Sequence, residues 1–298
     1  MTSLSPAVEA ALAKATARMP VRRWTVPRRI GIAGKMEHGK DTVAGLLRHK
    51  FGYVPVAFAE HLRAVCHRLL GVPLPYLTDK ALKPLPVVSI AEDYALPFDP
   101  RNLVSVAEHL DNVLAYAYFT NVHTFKHANH RSDMTIRIGQ NDLDPETVRY
   151  NFRALFNKHL LVPLLNGGIF SGREIMQLVG TEIFRAVDHA IWTWAWTRRV
   201  HDHALVACPD MRFPNEFSEI SMNGGWCIQV LRPNYRSDTR TGTMHVSETA
   251  LDGHQFHAVL VNAAAIGDLC RDLERSLIEY AKINTKAIDM GYAKLVMA

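Results

Sequence analysis

Apolar positions along this chain alternate between short unbroken runs and stripes at helical spacing, a pattern that predicts an α/β protein. Ile30 to Ala33 is the first run, and Val43, Leu46 and Leu47 follow at helical spacing. An extended piece, Val54 to Phe58, precedes a helix that opens at Ala59-Glu60-His61-Leu62-Arg63 and stops near Gly71. Later, Ala204 to Cys208 and Trp226 to Leu231 read as buried strands, because strands covered by helices on both faces lose the polar half of their alternation. His257 to Asn262 is a further strand, and Ile266, Leu269, Cys270, Leu273 and Leu277 form the stripe of a closing helix. A central, mostly parallel sheet between helical layers is expected.

The pattern changes from Val72 to about Leu165. Prolines recur between Pro73 and Pro100, after which Leu103, Val106, Ala107, Leu110, Val113, Leu114 and Ala117 make one apolar stripe. Asp144-Pro145-Glu146 is a cap, a first-turn proline and an acidic first turn. Gly172 to Arg185 reads as one helix with Arg173, Gln177 and Arg185 along a polar side, which suits a nucleotide phosphate and base or simply water. In the next helix, Trp192, Trp194 and Trp196 are expected in the core rather than as base-stacking platforms. The expected organisation is an appendage at 1–27, a sheet domain at 28–71 and 166–283 with a lid at about 232–255, a largely helical insertion at 72–165 on the acceptor side, and a tail at 284–298.

Composition narrows the class. With 298 residues and 48% hydrophobic content the chain can bury a real core. The absence of any apolar run of about 18 residues, and of a charged-then-apolar start, argues against membrane insertion or export and for a cytoplasmic protein. Cys66, Cys208, Cys227 and Cys270 are isolated from one another, as reduced core thiols are, not paired as in disulfide or zinc frameworks. A net charge of +5 suits a polyanionic partner, nucleotide and DNA alike. Arg22, Arg23, Arg28 and Arg29 could touch nucleic acid or form a solvated cluster. His123, His127 and His130 could share a helix face, as metal ligands or as a plain histidine face.

The densest chemistry lies in Gly34-Lys35-Met36-Glu37-His38-Gly39-Lys40-Asp41-Thr42, between the first strand and its helix. Two glycines five apart let backbone N–H groups turn inward, the helix start adds its positive dipole end, and Lys40 supplies a point charge for outer phosphates. A nucleoside triphosphate fits such a loop, with Lys35 and His38 beside it. Asp41 stands where a hydroxyl would normally meet magnesium, so it reads as a magnesium group or as a helix-dipole acid. Asp210 ends a buried strand where a magnesium-organising carboxylate belongs, with Arg212, Asn215 and Glu216 after it. The stretch from Arg232 through Arg236 to Arg240 reads as a lid that brings fixed charge over transferring phosphates, or as a surface loop.

These segments together resemble the bacteriophage deoxynucleoside monophosphate kinases. The likeness rests on the loop from Gly34 to Thr42, on Phe58-Ala59-Glu60-His61-Leu62-Arg63, on Arg173-Glu174 with Gln177, Gly180-Thr181-Glu182, Arg185 and Trp192, and on Asp210-Met211-Arg212-Phe213-Pro214-Asn215-Glu216. Val259-Leu260-Val261-Asn262 and its helix are similar to the end of that family and of dephospho-coenzyme A kinases. The resemblance covers about two thirds of the chain and leaves residues 1–27 and the proline-rich insertion without a counterpart. It implies a three-layer P-loop kinase fold and phosphoryl transfer from ATP with Mg2+ held at Asp41 and Asp210. It also implies acceptor contacts at Arg63, Arg173, Gln177, Arg185 and Arg212, with Asn215 and Glu216 beside them. The acceptor is then a deoxynucleoside monophosphate, or alternatively the hydroxymethyl group of a modified pyrimidine in phage DNA. A nucleotide-dependent switch protein is the third reading, and a homodimer stays open.

Overall fold

The computed structural model describes residues 7, 9–11, 13, 26–90, 95–120, 136–138, 141–233, 245–263 and 265–289. Its elements in chain order are β1 (Arg29–Ala33), α1 (Lys40–Phe51), β2 (Val54–Pro55), α2 (Ala59–Leu70), α3 (Leu74–Thr78), β3 (Pro86–Val88), α4 (Leu103–Ala117), β4 (Ile136–Ile138), β5 (Asn141–Leu143), α5 (Pro145–Phe156), β6 (Phe170–Ser171), α6 (Gly172–Gln177), α7 (Ile191–Val200), β7 (Val206–Cys208), α8 (Pro214–Met222), β8 (Trp226–Leu231), β9 (Ala258–Val261) and α9 (Ile266–Asp289). The chain folds into two compact units. Residues 58–199 form one, and the described residues before 58 and from 200 onward form the other.

The second unit is built on a five-stranded sheet in the order β2-β7-β1-β8-β9, and all its pairings are parallel. Alternate residues of β1 serve opposite faces, as the pleat requires. Ile30 and Ile32 pack with Val43, Leu46 and Leu47 of α1 and with Leu269, Cys270, Leu273 and Leu277 of α9. Gly31 faces the other way, where a Cβ would lie 2.6 Å from Met211 Sδ and 2.8 Å from Ile220 Cδ1 of α8. A glycine in mid-strand thus lets α8 approach closely, and the sheet carries helices on both faces. On the α1 face, Lys50 is buried and paired with Glu274 of α9. All four cysteines are free and buried, as expected.

The first unit is largely helical. Leu62, Val65 and Leu69 of α2, Val113 and Leu114 of α4, Phe152 and Phe156 of α5, and Ile175 of α6 share one core with Val179, Ile183 and Phe184. The segments 58–71 and 166–199 therefore belong with the expected insertion and not with the sheet, because their apolar stripes are satisfied by α4 and α5. Two helices depart from the single-period reading: α5 widens at Asn157–Leu161, and α6 at Leu178–Arg185, into π-helical turns. Within the wide turn of α6, Gly180 O accepts from Trp192 Nε1 at 2.9 Å. Trp192 and Trp196 are buried and Trp194 is partly so, which agrees with a core role. Asp144 caps α5 as its sequence predicts, accepting from Thr147 N at 2.8 Å. Among the described residues no helix is long and apolar enough to cross a membrane. His123, His127, His130, Arg22 and Arg23 lie outside the described residues.

Candidate active site

The carboxyl ends of β1, β7, β8 and β9 bring the candidate chemistry of the sheet unit together. From β1 the backbone enters the loop at Gly34, φ +147°, and leaves it at Gly39, φ +101°. At both positions a side chain is excluded twice, by the dihedral and by space. A Cβ at Gly34 would lie 2.5 Å from Val230 O, and one at Gly39 2.4 Å from Asn262 Nδ2. Between them Glu37 also takes a positive φ, 63°, a strained conformation for a non-glycine. Helix α1 starts at Lys40 with Gly39 as its N-cap, so its first amides open toward the loop.

Lys40 folds back over this turn, and its Nζ donates to Gly34 O at 2.5 Å and Lys35 O at 2.7 Å. Burial, and next the Arg212 guanidinium, lower its pKa to about 8, while Glu248, Asp41 and Asp210 push it back up. An ammonium held this way is under-solvated and sits among backbone carbonyls, which a polyphosphate could replace. His38 is buried; its Nδ1 meets Val230 O at 3.2 Å, so the ring braces the loop against β8. Burial holds the His38 pKa below its ordinary value, with Lys40, Lys35 and Arg232 lowering it further. Arg232 reaches Glu37 O at 3.4 Å.

At the end of β7, the Cys208 thiol donates to Asp210 Oδ1 at 3.3 Å. Arg212 pairs with Glu248 and donates to Ser247 O at 3.5 Å. Burial pulls the Arg212 pKa down, but Glu248, Asp210 and Glu216 together hold it above the usual arginine value. Glu216 is buried, and its Oε2 accepts from Arg212 N at 2.7 Å and Phe213 N at 3.1 Å, fixing the entry to α8. Asn215 Oδ1 accepts from Glu216 N at 3.0 Å in the same turn. Asp41 and Thr42 are partly buried in the first turn of α1.

The sheet unit thus gathers Gly34, Lys35, His38, Gly39, Lys40, Asp41, Thr42, Asp210, Arg212 and Arg232. Arg236 and Arg240 lie outside the described residues. Arg63, Arg173, Gln177 and Arg185 belong to the helical unit. There Arg63 Nε is buried with no hydrogen-bond partner among the described residues, Arg173 is exposed, Gln177 is partly buried, and Arg185 donates to His189 O at 3.3 Å. Glu248 and Cys208 were not read as parts of the site, nor was Asn262, whose Nδ2 donates to His38 O at 3.0 Å. For Asn262, a polar residue just beyond the apolar run Ala258 to Val261 was the one available signal; Glu248, in a polar stretch, had none.

For magnesium the fit is partial. Asp41 and Asp210 both act electrostatically on Lys40, whereas among the described residues no group of three or more histidine, cysteine or carboxylate side chains is set to hold a metal. Neither the protein-family models nor the curated proteins searched include a match to this chain.

Proposed function

We propose that this chain is a P-loop phosphotransferase of the kind the deoxynucleoside monophosphate kinases represent, moving the terminal phosphoryl group of ATP to a deoxynucleoside monophosphate. The observation that carries the reading is the closed loop from Gly34 to Lys40, with the lysine ammonium lying on the carbonyls of Gly34 and Lys35 at the carboxyl end of β1. Five parallel strands in the spatial order second, third, first, fourth, fifth support it, since ligands of such sheets lie at the strand ends where the order reverses.

In this reading the inward amides and α1 hold the β and γ phosphates, and Lys40 leaves the loop carbonyls for the transferring oxygens. Asp41 and Asp210 would hold magnesium, which when bound would neutralise charge on the phosphates. A monophosphate has its second pKa near about 6 and is already nucleophilic at neutral pH, so positioning and neutralisation suffice. Of the acceptor contacts that the resemblance implies, Arg212 is the one supplied by the loop's own unit. Its partner Glu248 must give way to a phosphate there.

The test is ADP formation from ATP and magnesium with each deoxynucleoside monophosphate, run beside DNA that carries hydroxymethyl-pyrimidines. Turnover that depends on a free monophosphate is expected, and Lys40→Ala should cut it by at least about 10³-fold with the melting temperature kept. Label entering DNA instead would favour the alcohol acceptor, for which the sequence offers Asp41, Asp210 or Glu216 as base; of these, Glu216 is held by the amides of Arg212 and Phe213. Tight ATP binding without transfer to either would leave a switch protein. Near-normal turnover in the Lys40 variant would remove the loop as donor site.

A further inference from the structure

We infer that Asn262 is a positioning residue of the phosphate-binding loop, aiming the amide of Gly39 at the donor's phosphate. This inference rests on the donor-site reading above. Asn262 directly follows β9, and its own N donates to Leu231 O at 2.7 Å, so the end of β8 fixes its backbone. From that anchor its Nδ2 donates to His38 O at 3.0 Å. In a trans peptide the C=O of one residue and the N–H of the next point in opposite directions within one plane. Holding His38 O toward Asn262 therefore turns the Gly39 N–H to the opposite side, away from Asn262. Two further features keep the peptide from rotating. His38 is pinned through its ring to Val230 O, and Gly39 at φ +101° has no room for a Cβ, because Asn262 Nδ2 fills that space at 2.4 Å. The loop is thus oriented from outside, by a carboxamide 224 positions along the chain. A donor on any other side chain of this shape would serve, and an isosteric apolar group would not.

The experiment uses the full chain labelled with [15N]glycine and inorganic tripolyphosphate as the probe. In the wild-type protein, the Gly39 amide proton should move downfield on saturation. Asn262→Leu should bind tripolyphosphate about tenfold more weakly, the loss expected for one oriented hydrogen bond. Its Gly39 shift should be abolished while the Gly34 response persists, a pattern that general loosening of the sheet would not produce. Asn262→Ala, which only opens space, gives the same readout if the leucine variant folds poorly. If tripolyphosphate binds the wild type, Lys40→Ala abolishes that binding, and both Asn262 variants keep the affinity and the Gly39 shift, the positioning role is wrong and the donor site stands. If the wild type binds no tripolyphosphate, the donor site falls and this role falls with it.

Discussion

Lys40 carries an electrostatic cost in the fold that an anionic ligand would relieve. Burial and the neighbouring Arg212 lower its pKa to about 8, so the unliganded fold holds a cation that water would have solvated better. A polyanion laid along the loop reverses that balance. The sign follows directly: a ligand that binds the charged form raises the lysine pKa, so affinity is full below about pH 8 and falls as the ammonium deprotonates above it. Titrating tripolyphosphate calorimetrically from pH 7 to pH 9.5 should show affinity dropping toward tenfold per pH unit at the alkaline end. Lys40→Arg, charged throughout the range, should flatten that slope. A wild-type affinity independent of pH would mean that Lys40 does not meet the phosphate. The loop itself was legible in the sequence because its parts are contiguous, and two glycines, a lysine and a helix start need no tertiary information. Asn262 was not, since nothing local in Val-Leu-Val-Asn says that its carboxamide will cap a carbonyl on another strand's loop.

Elements explain where the sequence reading held and where it moved. Apolar stripes predicted α1, α4 and α9, and the cap at Asp144-Pro145-Glu146 predicted α5, because a stripe shows which face is buried and a cap shows where a helix starts. A stripe does not say against what, so the segments at 58–71 and 166–199 were grouped with the sheet although α4 and α5 cover them. The π-helical stretch of α6 has the same cause: one apolar spacing fits either period over eight residues. Helices α4 and α5 are further joined by charge. Buried Asp111 accepts from Arg149 Nε at 3.0 Å and Nη2 at 3.1 Å, and from Arg153 Nη2 at 2.9 Å. Asp111→Ala should destabilise the helical unit by about 2 kcal/mol, less than for a fully buried pair because both arginines keep some contact with solvent. Urea unfolding followed through the aromatic signal of that unit measures it. A midpoint equal to the wild type would make the network idle.

At the scale of the whole molecule, both units carry histidines whose burial, full or partial, disfavours the charged ring, and these shape how stability responds to acid. His38 and His257 in the sheet unit, and His61 and His109 in the helical unit, are all held below the usual histidine pKa, with burial the largest cause each time. The carbonyls of Val230, Ala117 and Leu69, which accept from His38, His61 and His109 at 3.2, 3.0 and 2.9 Å, oppose that shift without cancelling it. The folded chain therefore binds fewer protons than the unfolded one once the pH falls below about 6.5, so stability decreases on acidification and is full above that value. Asp188 works in the other direction, since burial raises its pKa and acid relieves its charge. Lys40 stays mostly charged in both states below pH 7.5 and adds little slope. Scanning calorimetry from pH 7.5 to pH 5.5 should show the melting temperature falling mainly below about 6.5. If the units melt separately, His61→Phe, which keeps a ring against Phe119 and Tyr116, should reduce the shift of the helical unit. A melting temperature that stays level across this range would show that these imidazoles are protonated as readily in the fold as in water, and that their burial does not shape the acid response.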